Sequence, residues 1–277
     1  MSSELEPTAP DGAPAEAPLL RERDGRVLIL TLNRPERLNA LTRELHRQLH
    51  EAVLEGSRDS GIGTVVLTGA GRAFCSGGDL GDRKHSAAAP PTVEQRADEL
   101  VLHSETARLL HEMPKPTLAM INGVAAGSGL ALALACDFRV ASRSAVLTSA
   151  YAKVALSGDL GVSYFLTHLV GAARARELLF LSDKIDAAEA HRLGLVNRLV
   201  EDADLRDATM QIARQLANGP SVAFRYMKRN LILARNGSLR EVLESEAYGM
   251  ARCGRTQDVK EAALAFRDKR APVFKGC

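Results

Sequence analysis

The segment "TLAMINGVAAGSGLALALAC", residues 117–136, carries no charge in a chain that is 25% Asp, Glu, Lys and Arg. So long an uncharged run belongs in a bilayer or in a protein core. It has the length of a membrane span, and Gly123 and Gly127 even stand at GxxxG spacing. Its composition argues against a bilayer, because Ala, Gly, Ser and Thr dominate it and Asn122 falls inside it. A strand–turn–helix fits better. "TLAMI" reads as a buried strand, "NGVAAGSG" as a turn whose glycines permit positive φ, and "LALALAC" as a buried helix.

Such a turn holds backbone open for a ligand, and its glycine spacing narrows the choice. A dinucleotide loop in the register Gly127-Ser128-Gly129 has Leu132 where the third glycine belongs. It also has Tyr151 and its neighbours where an acid belongs. A nucleophile elbow needs glycine at Ala126. What remains is a helix N-terminus with free N–H groups. A second loop, "AFCSGGDL", follows the strand "GTVVLTG" and exposes amides near Gly77 and Gly78. Two such donors converging on one point make an oxyanion hole.

The chain before about residue 200 alternates strands, glycine loops and helices. It starts at the strand "RVLILTLN" and includes helices "TRELHRQLHEAVLEGS" and "VEQRADELVLHSETARLLHEM". "SAAAPPT" reads as a linker, and "FRVAS" and "AVLTS" as short strands. "VSYFLTHLVG" and "AARARELLFL" have helical patterns. Residues 201–277 are nearly all helical, which sets a boundary between a core at 19–200 and a helical oligomerisation region. Residues 1–18, rich in Ala, Pro and Glu, read as a disordered tail and as neither signal nor transit peptide. A formal net charge of +2 and scattered Lys and Arg leave no basic face for nucleic acid. Cys75, Cys136, Cys253 and Cys277 form no CxxC pair, so a reduced cytoplasmic protein without a metal site is expected.

Taken in order, "LNRPERLNAL", "LTGAGRAFCSGGDL", "KPTLAMINGVAAGSGLALALACDFRVAS", "GLVNRLV" and "AFRDKRAPVFKG" resemble the enoyl-CoA hydratase/isomerase, or crotonase, family. The resemblance implies an α/β fold, a spiral of ββα repeats followed by a C-terminal helical region that mediates trimers or dimers of trimers. It implies an acyl-CoA thioester as substrate, with no further cofactor. Its carbonyl would sit between the amides of Gly78 and Ser128. The coenzyme would lie along Arg37, Leu38, Asn39 and Ala40, along Cys75, Ser76, Gly77, Asp79 and Leu80, and against Gly127. Lys269 and Arg270 become phosphate partners, serving a neighbouring subunit. Asp79 is expected to brace its loop, Cys75 to be a small packing residue, and His168 and His191 to be structural.

The sequence departs from the family's hydratases at both glutamates that add water. Ala131 stands at the first position and Tyr151 at the second. Alanine has no proton chemistry, and a tyrosine with an ordinary pKa near 10 is a poor base but a good hydrogen-bond donor. Asp159, in "ALSGDLGVSYFL", occupies the loop position where the family's isomerases carry a proton-shuttling carboxylate. One such residue suffices for a 1,3-shift on one face of the substrate. An Asp between Gly and a helix is also a common N-cap. An enoyl-CoA isomerase is therefore the first expectation. A hydratase with atypical acid and base groups, and a non-catalytic acyl-CoA-binding protein, are the alternatives.

Overall fold

The computed structural model describes residues 17–79, 81 and 91–277. Nearly all of the N-terminal tail, Leu80 and most of "SAAAPPT" fall outside that range.

Strands β1 (Leu19–Asp24), β2 (Val27–Leu32), β3 (Thr64–Gly69), β5 (Thr117–Ile121), β7 (Phe138–Ser142) and β10 (Arg198–Val200) form one sheet in that order. β1 pairs antiparallel with β2, and the rest is parallel. A second sheet runs β4 (Ala73–Cys75), β6 (Val124–Ala126), β8 (Val146–Thr148) and β9 (Ile185–Asp186). β3, β5 and β7 are each followed, a few residues on, by a short strand in the other sheet. A helix then returns: α2 (Val93–Glu112) after β4, α3 (Ser128–Ala135) after β6 and α4 (Val162–Leu181) after β8. This ββα unit, repeated three times, makes the spiral.

The local chemistry follows the sequence. Helix α1 (Arg43–Arg58) starts at Thr42, whose hydroxyl accepts from Leu45 N, and it buries Leu45, Leu49, Ala52 and Val53. Helix α2 opens with a capping box of Thr92 and Gln95. α3 is buried at every position, which is why it tolerates no charge. Gly171, at φ 77 and ψ 161, kinks α4 between the two helical patterns of the sequence.

Four elements differ from the sequence reading. The chain enters the fold at β1, whose charged "RERD" half hides a strand at the sheet edge. The loops "AGRAFCSGGDLGD" and "NGVAAGSG" contain the three-residue strands β4 and β6, which pair with each other. Helix α6 (Leu205–Ala217), assigned to the helical region, seals the outer face of the large sheet. Its Leu205, Met210, Ala213 and Ala217 pack on Ile29, Val66, Leu118 and Val140. Both sheet faces are therefore buried, as strands this apolar demand.

Beyond α6 come α7 (Ser221–Leu233), α8 (Leu239–Cys253) and α9 (Gln257–Arg267). α7 is pinned to the core by Lys228, whose Nζ donates to Asp137 Oδ2 (2.7 Å), Leu110 O (3.0 Å) and Lys115 O (3.1 Å). No helix among the described residues is long and apolar enough to cross a membrane.

Candidate active site

The two glycine bends meet. β4 leads into Gly77 (φ 102) and Gly78, and β6 into Gly127 (φ 53), the residue that precedes α3. A Cβ on Gly77 would lie 3.1 Å from Ala126 O and 3.6 Å from Ser128 N, so the first bend abuts the start of the helix. A Cβ on Gly127 would lie 3.8 Å from Gly77 Cα. At Gly129 it would stand 2.3 Å from Cys75 O and 2.6 Å from Cys75 Cβ. The first turn of α3 is thus pressed directly against β4, with no space for a side chain.

Among the described residues, the backbone bonds around this packing use neither the Gly78 nor the Ser128 N–H. Leu41 N donates to Gly77 O (2.8 Å) and Asp79 N to Leu41 O (2.9 Å), a bridge that bypasses the Gly78 N–H. A Cβ on Gly78 would find nothing within 4 Å, so that residue faces open space. α3 begins without a side-chain cap, and its first residue is Ser128. Uncapped helix N–H groups carry partial positive charge suited to a developing oxyanion.

Asp159 reaches the same point from a third element. Its loop is bent by positive φ at Ala155, Gly158, Leu160 and Gly161. The carboxylate accepts from Ser128 Oγ at 3.0 and 2.9 Å and from the Tyr151 hydroxyl at 2.5 Å. It does not cap α4, whose N-cap is Gly161 with no side-chain bond. Burial first, and then Asp159, push the Tyr151 phenol above its ordinary pKa. Tyr151 therefore stays protonated and donates. Ala131, fully buried in α3, adds no chemistry.

Beside Gly78 and Asp79 lies a cavity of about 60 Å³, lined by Leu41, Arg43, His46, Arg96, Leu100 and His103. The two imidazoles stack with centroids 4.4 Å apart and planes 5° apart. Sequence reasoning missed this wall. All the sequence shows there is a histidine directly after a leucine in each helix, at Leu45–His46 and Leu102–His103. Burial, and then His103, push His46 from its ordinary value near 6.5 down to about 4. Above pH 6.5 the folded and unfolded chains both hold a neutral ring, and stability is complete. Between 6.5 and 4 the unfolded chain gains a proton that the folded chain refuses. Stability is expected to fall by about 3 kcal/mol across that window. Urea unfolding at stepped pH measures it against a His46→Leu variant, and identical slopes in both proteins rule the assignment out.

The remaining expected residues separate into scaffold and surface. Asp79 braces its loop as expected, accepting from Arg34 Nη1 (2.9 Å) and Gly81 N (2.9 Å). Asn39, expected at the coenzyme, is fully buried and structural. It accepts from Arg34 N (2.9 Å) and donates to Ala70 O (2.9 Å) and Ala73 O (2.8 Å). Leu38 and Asn39 hold positive φ, Ala40 O accepts from Arg34 (2.6 Å), and Arg37 is exposed beside them. Ser76 N donates to Leu38 O (3.0 Å), joining this turn to the first glycine bend. Cys75 is buried, and burial pushes its thiol up to about 12, which suits packing and not reaction. Lys269 is exposed past α9, and Arg270 is taken by Glu261 of that helix at 2.6 and 3.0 Å. His168 is exposed against Tyr164, and His191 Nδ1 bonds Val196 O. A larger cavity of about 450 Å³ lies at the far end of α3, around Leu134, Asp137, Lys228 and Arg235. It contains none of Gly78, Ser128 or Asp159, so its size does not mark the chemistry.

The same architecture occurs in known proteins. Residues 22–277 match the enoyl-CoA hydratase/isomerase family. A 1,2-epoxyphenylacetyl-CoA isomerase of Escherichia coli is 38% identical over 251 residues, covering 90% of this chain and 95% of the relative. A short-chain-enoyl-CoA hydratase of Clostridium acetobutylicum is 33% identical, covering 91% and 95%. The crystal structure of an enoyl-CoA hydratase from Bacillus anthracis superposes with a TM-score of 0.88 at 31% identity, over 94% of this chain and all of that one. The chain, mixed α/β with a C-terminal helical region, is a crotonase-fold enzyme of the enoyl-CoA hydratase/isomerase family.

Proposed function

We propose that the enzyme isomerises enoyl-CoA thioesters, moving the double bond between the 3- and 2-positions with Asp159 as the proton carrier. The thioester oxygen sits between the Gly78 and Ser128 amides. Asp159 takes a proton from C2, the electron pair delocalises onto the thioester oxygen as an enolate, and the same carboxyl returns the proton to C4. No water is consumed. The carrying observation is the contact of Asp159 with Ser128 Oγ, which ties the carboxylate to the residue offering the second amide. The absence of carboxylates at Ala131 and Tyr151 supports the same reading, and a relative named as a 1,2-epoxyphenylacetyl-CoA isomerase, whose substrate is an epoxide, supports isomerisation as a reaction type only. The hydratase names of other relatives keep hydration as the second reading.

Incubation with 3-hexenoyl-CoA and with 2-hexenoyl-CoA tests it. Isomerisation without mass change is expected. Gain of water as the sole reaction would make the enzyme a hydratase, and binding without turnover would make it a silent carrier.

Ser128 and Tyr151 position the carboxylate in this mechanism. Ser128→Ala keeps the amide and removes the hydroxyl, and Tyr151→Phe removes the other donor. A hydrogen bond to a charged group contributes about 1.5–3 kcal/mol, so each change should lower kcat about ten- to a hundred-fold. Acyl-CoA affinity should move little. Wild-type kcat in both variants would remove the positioning role.

The surface of the C-terminal helices supports self-association, with Leu231 (70% exposed), Met250 (76%) and Phe266 (88%) open to water. A homotrimer or dimer of trimers is expected. Light scattering during gel filtration should return three or six times the 29.8 kDa chain mass, and a monomeric peak would contradict it.

A further inference from the structure

The loop that carries Asp159 has little main-chain support. Leu156 N donates to Tyr151 O (3.0 Å) at its start, and Val162 N donates to Asp159 O (3.0 Å) at its end. Between them, no N–H of residues 157–161 has a backbone partner among the described residues. Side chains must hold the loop instead, and few are placed to do so. Residues 152–157 and Gly161 are exposed, including the apolar Val154 (48%) and Leu156 (43%), and Gly158 and Asp159 are half-buried. Among the described residues of this loop, Leu160 alone is buried, at 2% exposure, in the same core cluster as Tyr151, Val162 and Phe165.

Leu160 is also strained. Its φ of 50 is left-handed, a conformation that a bulky side chain avoids. Gly158 (φ 117) and Gly161 (φ 75) flank it, and a Cβ on them would come within 3.0 Å of Val162 Cγ1 and 3.1 Å of Phe165 Cε2. Such a turn persists only where its surroundings hold it, and burial of the leucine side chain is the hold available here. The other ties on Asp159 reach the carboxylate itself, from Ser128 Oγ and the Tyr151 hydroxyl. They are strongest to the ionised form, so they weaken once the carboxyl carries the substrate's proton. The apolar anchor next to it does not change with that proton.

Resting on Asp159 as the proton carrier, we propose that Leu160 is a positioning residue for the 1,3-shift, its buried side chain fixing the peptide that aims the carboxyl. The hold is needed between the two transfers, when the carboxyl is neutral and must still present the proton to C4. Misplacement by about 1 Å is enough to cost a hundredfold in rate.

Three variants test it, each assayed for kcat on 3-hexenoyl-CoA and for the Kd of saturated hexanoyl-CoA by calorimetry. Leu160→Ala should lower kcat about ten- to a hundred-fold and leave the Kd within about twofold of wild type. Leu160→Met, close to leucine in volume, should restore kcat to within about threefold of wild type. Leu160→Ala combined with Asp159→Asn should be no slower than Asp159→Asn alone, because the anchor then has no proton carrier to aim. A merely structural leucine would instead lower kcat by the same factor in both backgrounds. Circular dichroism and unfolding midpoints set an assay temperature at which each variant is folded. Should Leu160→Ala not fold, Leu160→Gly removes the same side chain and accepts the positive φ without strain. Wild-type kcat in the folded truncation, a Kd weakened as much as kcat, failure of methionine to rescue, or equal losses in both backgrounds overturns the proposal. Full turnover by Asp159→Asn itself would instead remove the proton-carrier reading, and the role of Leu160 with it.

Discussion

Asp159→Asn is expected to lower turnover of a 3-enoyl-CoA about 10²–10⁴-fold, the range a positioned general acid–base group supplies. The substitution is nearly isosteric. With its amide oxygen at the Oδ1 position, the side chain still accepts from Ser128 Oγ and Tyr151, so the loop keeps its place. What disappears is the capacity to hold and return a proton. Saturated acyl-CoA should bind with unchanged Kd, because the oxyanion donors are backbone amides on other elements. Steady-state kinetics beside calorimetry separates the two effects. A variant with wild-type kcat would end the role of Asp159, and one that had lost binding would make the residue structural.

The second large effect is expected at Gly78. A Cβ there meets nothing within 4 Å, so Gly78→Val should fold with an unchanged unfolding midpoint. The branched side chain would nevertheless stand beside the amide that faces the thioester oxygen. Loss of one oxyanion donor costs about 10²–10³ in rate in acyl-transfer enzymes, and kcat should fall by a similar factor. Gly129→Val is the informative contrast. Its Cβ would overlap Cys75 O at 2.3 Å, so that variant should lose stability before activity is measured. Full turnover in folded Gly78→Val would remove this amide from the mechanism.

The central strand–turn–helix and the alternation of strands and helices were legible because their cause is local. β5 and α3 are continuous apolar runs on either side of glycines. β4 and β6 were not legible, since three-residue strands exist only through pairing with each other across about fifty residues. β1 was hidden for the opposite reason, with solvent-facing charges obscuring its pairing to β2. At the site, Gly78, Ser128 and Asp159 stood out as departures from or matches to a family pattern. Their geometry did not. The bond from Ser128 to Asp159 spans 31 residues and arises only when the bent loop before α4 folds over the α3 N-terminus. Asn39 shows the converse, a motif residue whose side chain holds the turn together. The His46–His103 stack joins two helices whose sequences carry no shared motif.

The jam between Gly129 and Cys75 makes the paired amides a caliper set when the chain folds. Its gap is fixed by a strand edge and a helix start that cannot slide past each other, so no lid need close to bring the jaws to size. Changes of sequence around the cavity then alter what is gripped. Changes at positions 75, 77, 127 or 129 alter whether anything is gripped.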